Sequence, residues 1–375
     1  MIKRIYDNLE KYLKSGKALV IYGPRRIGKT TLLRKYLDSV DMKYKLDSGD
    51  NILTRQVLSS QNFSEISEYV SGYDLLAIDE AQQIPNIGLG LKIIVDQHPD
   101  IKVIATGSSS FDLANKIGEP LTGRKTTLTL YPISQMELLD QYNKFELKER
   151  LENFLIFGSY PEVVVAKNRE EKIKILNEII GSYLFKDILS LENIKKPNAL
   201  IKLLKLLAFQ VSKPVSASEL GTQLGLNSRT IERYLDLLEK TFVIRSIGSF
   251  SRNLRKEVSK KNKYYFYDNG IRNAIIGQYN SLENRNDKGE LWENFIVTER
   301  IKRNSYKDSY YNCYYWRTYE QKEIDWIEEG DGKIFGYEIK WNKDNFVAPK
   351  DFKESYPGAH IKVITRENYL EFICN

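Results

Sequence analysis

The sequence predicts an α/β protein with a parallel-sheet core at its N-terminus and a separate α/β unit at its C-terminus. Three observations carry this. Short apolar runs alternate with amphipathic stretches over the first 135 residues, a glycine-rich loop joins the first run to the first amphipathic stretch, and strand-like alternation returns after residue 264. Strands alternating with helices imply βαβ units and a mostly parallel sheet. A chain of 375 residues holds several domains at roughly 100–200 residues each. The predicted parts are 1–135, a sheet core; 136–200, a helical lid; 201–263, a basic helix-turn-helix; and 264–375, the second α/β unit.

In the first part, residues 18–22, 75–78 and 101–105 read as buried strands, and 29–38, 64–71 and 88–97 as helices. Residues from about 134 to 211 lose the strand runs and read as helices, with breaks at Gly158-Ser-Tyr-Pro161 and Lys196-Pro197. Residues 212–256 read as short helices and then a Gly/Ser-punctuated β pattern. After 264 come one helix, about 289–303, and strands at about 311–317, 322–328 and 333–341.

Composition narrows the class. With 42% hydrophobic and 12% aromatic residues, the chain carries enough apolar material to exclude wholesale disorder. No apolar run approaches the ~18 residues that cross a bilayer; the richest, 200–209, is broken by Lys202 and Lys205. The N-terminus is charged where a signal peptide needs an apolar core. Two cysteines and two histidines are too few for a disulfide framework or a His-based metal site. A soluble, cytoplasmic protein with no membrane partner is expected.

Gly23, Pro24, Arg25, Arg26, Ile27, Gly28, Lys29 and Thr30, followed by Thr31, fit the G-x-x-x-x-G-K-[ST] phosphate loop between a strand and a helix. The glycines let backbone N–H groups wrap phosphates. Lys29 is expected to neutralise β/γ-phosphate charge, and the Thr30 hydroxyl to ligate Mg²⁺. A second strand delivers Asp79 and Glu80. Asp79 is expected to hold the Mg²⁺, and Glu80 to orient and deprotonate the attacking water. At the end of the next strand, Ser108 is expected to contact the γ-phosphate or the water; an ordinary Ser-rich turn is the alternative.

These residues, Ile78-Asp-Glu-Ala-Gln82, Thr106-Gly-Ser-Ser-Ser110, Leu121-Thr-Gly-Arg124, Tyr131-Pro-Ile-Ser-Gln-Met-Glu137 and Gly158-Ser-Tyr-Pro-Glu162 together resemble an AAA+-like P-loop ATPase family of bacteria and archaea. Its members often carry a C-terminal domain of uncharacterised function. The resemblance implies ATP as the nucleotide and Arg124 as an arginine finger, acting in cis or from a neighbouring subunit of a homo-oligomer. A structural salt bridge is the alternative for Arg124, and Arg25 and Arg26 are rival phosphate contacts.

The net charge of +7 is concentrated. Residues 201–263 hold 13 Lys/Arg and 5 Asp/Glu, a net of +8, against 44 and 45, a net of −1, elsewhere. A capping box at Ser216-Ala-Ser-Glu219 starts a helix to Leu224, Gly225-Leu-Asn227 turns, and a second helix runs to about Lys240. Ile231, Leu235 and Leu238 share one face of it. With the β pattern after 242, this reads as a winged helix-turn-helix that contacts DNA through Arg229, Arg233, Arg252, Arg255 and Lys256. A structural joint or protein-docking module is the alternative.

In the last part, Glu293 lies on the helix, Asp325 on one strand, and Glu338-Ile-Lys340 on the next. Alternation puts Glu338 and Lys340 on one strand face. The arrangement resembles the PD-(D/E)XK superfamily of restriction-endonuclease-like domains. The resemblance implies that Asp325 and Glu338 bind Mg²⁺ or Mn²⁺ with help from Glu293, and that Lys340 orients or deprotonates the water. An inert copy of the fold, with these groups as a salt-bridge cluster, is the alternative. The aromatic strip 310–319 reads as a strand packing rings on both faces, with base stacking as the alternative.

Overall fold

The computed structural model describes residues 2–108, 121–184, 196–251, 261–318, 320–342 and 346–375. It divides into two compact units. One is Lys3–Pro132 with Lys240–Phe242; the other is Ile133–Glu239 with Val243–Asn375. The stretch expected as a lid is gathered with the helix-turn-helix and the C-terminal part.

The first unit is built on a parallel sheet of β1 (Ala18–Tyr22), β2 (Tyr44–Ser48), β3 (Leu75–Asp79), β4 (Lys102–Gly107) and β5 (Lys125–Thr129), in the order β2-β3-β4-β1-β5. Every residue of β1 is buried, as the apolar run requires of a central parallel strand. Helices Lys29–Leu37, Ile52–Ser59, Phe63–Val70 and Ile87–Gln97 accompany it. Side chains such as Ile66, Leu91 and Ile94 pack with Val20, Ile78 and Val103 in one core. In a parallel sheet the C-terminal strand ends share one edge. That edge receives the loop after β1 and the acidic pair after β3.

The second unit opens with short helices Gln135–Leu138 and Lys144–Glu149, followed by Leu151–Phe157, Pro161–Val165, Arg169–Glu178 and Pro197–Phe209. Helix Ala217–Leu224 follows, started by the expected Ser216/Glu219 capping box. Gly225, at φ +63°, makes the turn, and helix Ser228–Lys240 buries Ile231, Tyr234, Leu235 and Leu238. An antiparallel sheet β6-β8-β7 is formed by β6 (Pro214–Val215), β7 (Ile244–Ile247) and β8 (Asn262–Phe266). A four-stranded sheet β12-β11-β10-β9 is formed by β9 (Asn312–Arg317), β10 (Glu323–Gly330), β11 (Lys333–Ile339) and β12 (His360–Ile364). The two sheets join where Phe250 donates to the Tyr315 carbonyl and Tyr315 donates to that of Gly248. No described helix is long and apolar enough to cross a membrane.

Buried polar groups tie the early helices to the later segments. Asp268 accepts from the Ser159 backbone N–H at 2.6 Å, and Asn273 donates to the carbonyls of Leu155 and Ile156 at 3.0 and 2.8 Å. These contacts bind residues 151–165 to residues 268–275. The strip at 310–318 is used in packing: Trp316 meets Phe352, Tyr314 meets Phe250, and the Tyr315 hydroxyl donates to the Lys261 carbonyl.

Gly158 marks the tightest of these approaches. Its φ is +73°, and a Cβ there would lie 1.9 Å from Asp268 Oδ1. Gly158→Ala should destabilise the second unit by about 3 kcal/mol or more, read as a fall in that unit's urea midpoint. Gly289, in the Lys288–Tyr306 helix with nothing within 4 Å of a built Cβ, is the control: Gly289→Ala should be neutral or stabilise by about 0.5–1 kcal/mol.

Candidate functional site

In the first unit, the chain leaves β1 through Gly23 and enters helix Lys29–Leu37 behind Gly28, whose φ is +93°. Gly23 is obligatory, because a Cβ there would lie 2.0 Å from the Leu130 carbonyl oxygen. Arg4, a residue without an expected role, fastens the loop. Its guanidinium donates to the Ile27 and Tyr131 carbonyls, both at 2.6 Å. Lys29 is 5% exposed, and its ammonium donates to the Gly23 and Pro24 carbonyls at 2.9 and 2.6 Å. Arg25 and Arg26 are half-buried in the loop.

Thr30 Oγ1 donates to Asp79 Oδ2 at 2.7 Å. Thr106 Oγ1, from β4, donates to Asp79 Oδ1. Thr30 and Asp79 therefore meet, as a shared cation requires. Hydroxyls can turn a lone pair toward an ion, so this donor set fits a phosphate-bound Mg²⁺. Glu80 sits at φ +50°, and its carboxylate accepts from the Gln82 side-chain amide at 2.5 Å. Gln82 donates its other N–H to Ser108 Oγ at 3.0 Å.

Ser108 was expected at the phosphate; it is buried against Gln82, and Thr106 is the strand-end hydroxyl that reaches Asp79. Arg124 is not brought to the loop. It precedes β5, its side chain pairs with Asp96, and its carbonyl accepts from Ala18 at the start of β1. The loop follows the other end of that strand, about 15 Å away at ~3.3 Å per residue. Arg124 cannot contact phosphate bound to its own loop.

In the second unit, the four expected residues lie close together, and two of them, Glu293 and Asp325, meet a lysine that the sequence reading counts as surface charge. Lys263 on β8 is 1% exposed. Its ammonium lies 2.8 Å from Glu293 Oε1 and 3.5 Å from Asp325 Oδ1, and it also pairs with Glu323. Tyr265, two residues on and on the same strand face, donates to Glu293 Oε1 at 2.7 Å. Asn294 places Glu293 there by bonding the Phe266 N–H at 2.7 Å and its carbonyl at 2.9 Å.

The β10/β11 register puts Trp326 opposite Tyr337, which leaves Asp325 beside Glu338. Asp325 Oδ2 accepts from the Ile339 N–H at 2.8 Å, and Glu338 Oε1 pairs with Lys340 at 2.7 Å. Burial pushes the Glu293 carboxyl up to about 8, against the pull of Lys263. Burial, with Asp325 nearby, pushes Glu338 up to about 7. Lys263 stays well above the ordinary lysine value despite burial, held there by Glu293, Tyr265, Asp325 and Glu323.

This donor set does not fit the divalent metal implied for Glu293, Asp325 and Glu338. Glu293 Oε1, Asp325 Oδ1 and Glu338 Oε1 face lysine ammonium groups, and Asp325 Oδ2 faces a backbone N–H. Among the described residues no group of three His, Cys, Asp or Glu side chains is disposed to hold a metal ion.

Arg229 and Arg233 are exposed on helix Ser228–Lys240. Arg252, Arg255 and Lys256 lie outside the described residues. Among the described residues, paired cations of the basic segment besides Lys263 include Lys213 with Glu290, Arg245 with Glu239, and Lys261 with Glu219.

Residues 15–139 match the family described as an AAA domain. Residues 148–282 and 288–368 match families described as domains of unknown function, DUF8612 and DUF4143. An uncharacterized protein of Mycobacterium tuberculosis is 27% identical over 88% of this chain and 72% of its own length. Uncharacterized proteins of Haemophilus influenzae and Methanocaldococcus jannaschii are each 26% identical, over 94% and 97% of this chain and 88% and 85% of theirs. Among solved structures, RuvB of Thermotoga maritima aligns with a TM-score of 0.30 and 16% identity, over 64% of this chain and 87% of that one. Domain III of the replication initiation protein DnaA from the same organism gives 0.28 and 15%, over 44% and 85%. The AAA-domain match spans most of the first unit.

Thr30→Ala and Asp79→Asn should each weaken Mg²⁺-dependent ATP binding by about tenfold or more. Arg124→Ala should leave binding by the single chain unchanged. Titration with a fluorescent ATP analogue reads both, and a loss with Arg124→Ala would place that residue at the nucleotide.

Proposed function

We propose that this chain is an ATP-hydrolysing switch that acts on DNA through residues 201–263, with a nuclease-like C-terminal fold that docks rather than cuts. The observation that carries the ATPase reading is the meeting of Thr30 and Asp79, with Lys29 held in the glycine-rich loop just before Thr30. Lys29 binds the β/γ-phosphates, and Thr30 and Asp79 would hold Mg²⁺. The ion, when bound, offsets phosphate charge. Glu80 takes the proton of the attacking water, and Gln82, braced by Ser108, sets its carboxylate. A finger role for Arg124 requires a second copy of the chain, because Arg124 is remote from its own loop.

Support for DNA comes from the helix–turn–helix followed by an antiparallel hairpin, which fits a winged helix, and from Arg229 and Arg233 on the exposed face of the second helix. Such contacts go mainly to phosphates and weaken steeply with salt. The convergence of Glu293, Asp325, Glu338 and Lys340 supports the nuclease-like fold. The Lys263 ammonium already seated against Glu293 and Asp325 favours docking over cleavage.

Lys29→Ala should abolish ATP hydrolysis. Glu80→Gln should keep ATP binding while lowering kcat by about 10²–10⁴-fold. Arg229→Ala should weaken DNA binding and lower the slope of log K against log salt by about 1. Labelled single- and double-stranded DNA with Mg²⁺ or Mn²⁺, with and without ATP, should stay intact with both the unmodified chain and Lys340→Ala. Cutting by the unmodified chain alone would overturn the docking reading and leave the ATPase reading standing.

A further inference from the structure

We infer that Lys263 is a built-in cation that occupies the carboxylate cluster of the C-terminal fold and excludes a divalent metal ion from it. The inference rests on the nuclease-like reading of that fold and is independent of the ATPase reading.

Burying an ammonium costs several kcal/mol unless carboxylates surround it. Lys263 is surrounded by Glu293, Glu323 and Asp325. They are contributed by the Lys288–Tyr306 helix and by β10, while the lysine comes from β8 of the other sheet. Glu323 is shared with Arg317 at 3.1 Å, and Glu338 with Lys340. With every group ionised, charge is nearly balanced: Glu293, Glu323, Asp325 and Glu338 against Lys263, Arg317 and Lys340. Glu338 Oε2 is buried without a hydrogen-bond partner on a residue 5% exposed.

A divalent ion of the Mg²⁺ type needs several oxygen ligands at about 2.1 Å. Glu293 Oε1 and Asp325 Oδ1 are already turned to the ammonium. Ion and ammonium compete for the same atoms, and the ammonium is delivered by a strand bonded on both sides, to β6 and β7. Without Lys263, the cluster would hold four carboxylates against two cations, a deficit that one divalent ion would fill.

The test is Mn²⁺ titration of the full chain without nucleotide, read by the electron paramagnetic resonance of free Mn²⁺. The unmodified chain should show no Mn²⁺ binding that Asp325→Asn removes. Lys263→Met, or Lys263→Gln where the methionine variant does not fold, should gain one site at least about tenfold tighter, lost again with Asp325→Asn. Two results would overturn the inference. One is Asp325-dependent Mn²⁺ binding by the unmodified chain, which needs no variant at Lys263. The other is a folded Lys263 variant, by circular dichroism, that gains no site.

Discussion

The Lys288–Tyr306 helix is held in the second unit by buried polar bonds. Asn294 bonds both backbone groups of Phe266. Arg300 forms a two-pronged pair with Glu328, at 2.7 Å on each side, and Glu328 also accepts from Asn304 and Trp326. Glu299 takes the Gln135 N–H and pairs with Lys302, both at 2.7 Å. Losing one partner of such a pair leaves a buried charge, at a cost of about 3–5 kcal/mol. The helix therefore has one seat, with β8 on one side and β10 on the other. Glu293 stands one residue before Asn294, and its approach to Lys263 follows from that seat.

The same geometry changes what the charge of residues 201–263 means. In the sequence their net charge of +8 looks like a polyanion-facing surface. In the fold Lys263 is turned inward, and Lys213, Arg245 and Lys261 each answer a nearby carboxylate. Two of those carboxylates, Glu290 and Glu293, belong to the helix beyond residue 263. A sum over a sequence segment cannot register partners that lie outside it. The exposed cations of the segment among the described residues include Lys202, Lys205, Arg229 and Arg233, a narrower footing for phosphate contacts than the segment total implies.

What was legible in the sequence was what is local. The phosphate loop announces itself within eight residues, and the strand before Asp79 announces itself by being apolar throughout. The capping box at Ser216 and the buried face of the following helix could be read for the same reason. Three edge strands were not legible: β2, β5 and β12 expose part of each strand and read Tyr-Lys-Leu-Asp-Ser, Lys-Thr-Thr-Leu-Thr and His-Ile-Lys-Val-Ile. With one flank open to solvent, such strands need no continuous apolar run. Thr106 escaped notice because its role depends on β4 lying beside β3, and Arg4 because its targets are two carbonyls, which no side-chain motif encodes. Lys263 and Tyr265 form an i, i+2 pair, the spacing of one strand face. Only the docking of a later helix shows what that face meets.

Two aspartates with similar sequence surroundings show why one strand end suits a metal and the other does not. Asp79 ends β3 and accepts from two hydroxyls, Thr30 and Thr106, besides the Glu80 N–H at 3.1 Å. A hydroxyl both donates and accepts, so either threonine can turn its oxygen toward an arriving cation and remain a partner. Asp325, near the start of β10, faces the Lys263 ammonium and the Ile339 N–H. Neither has a lone pair to offer, so a cation arriving there must displace the first and is repelled by its charge. The metal preference of a carboxylate is set here less by the aspartate than by whether its neighbours can reverse the direction of their hydrogen bonds.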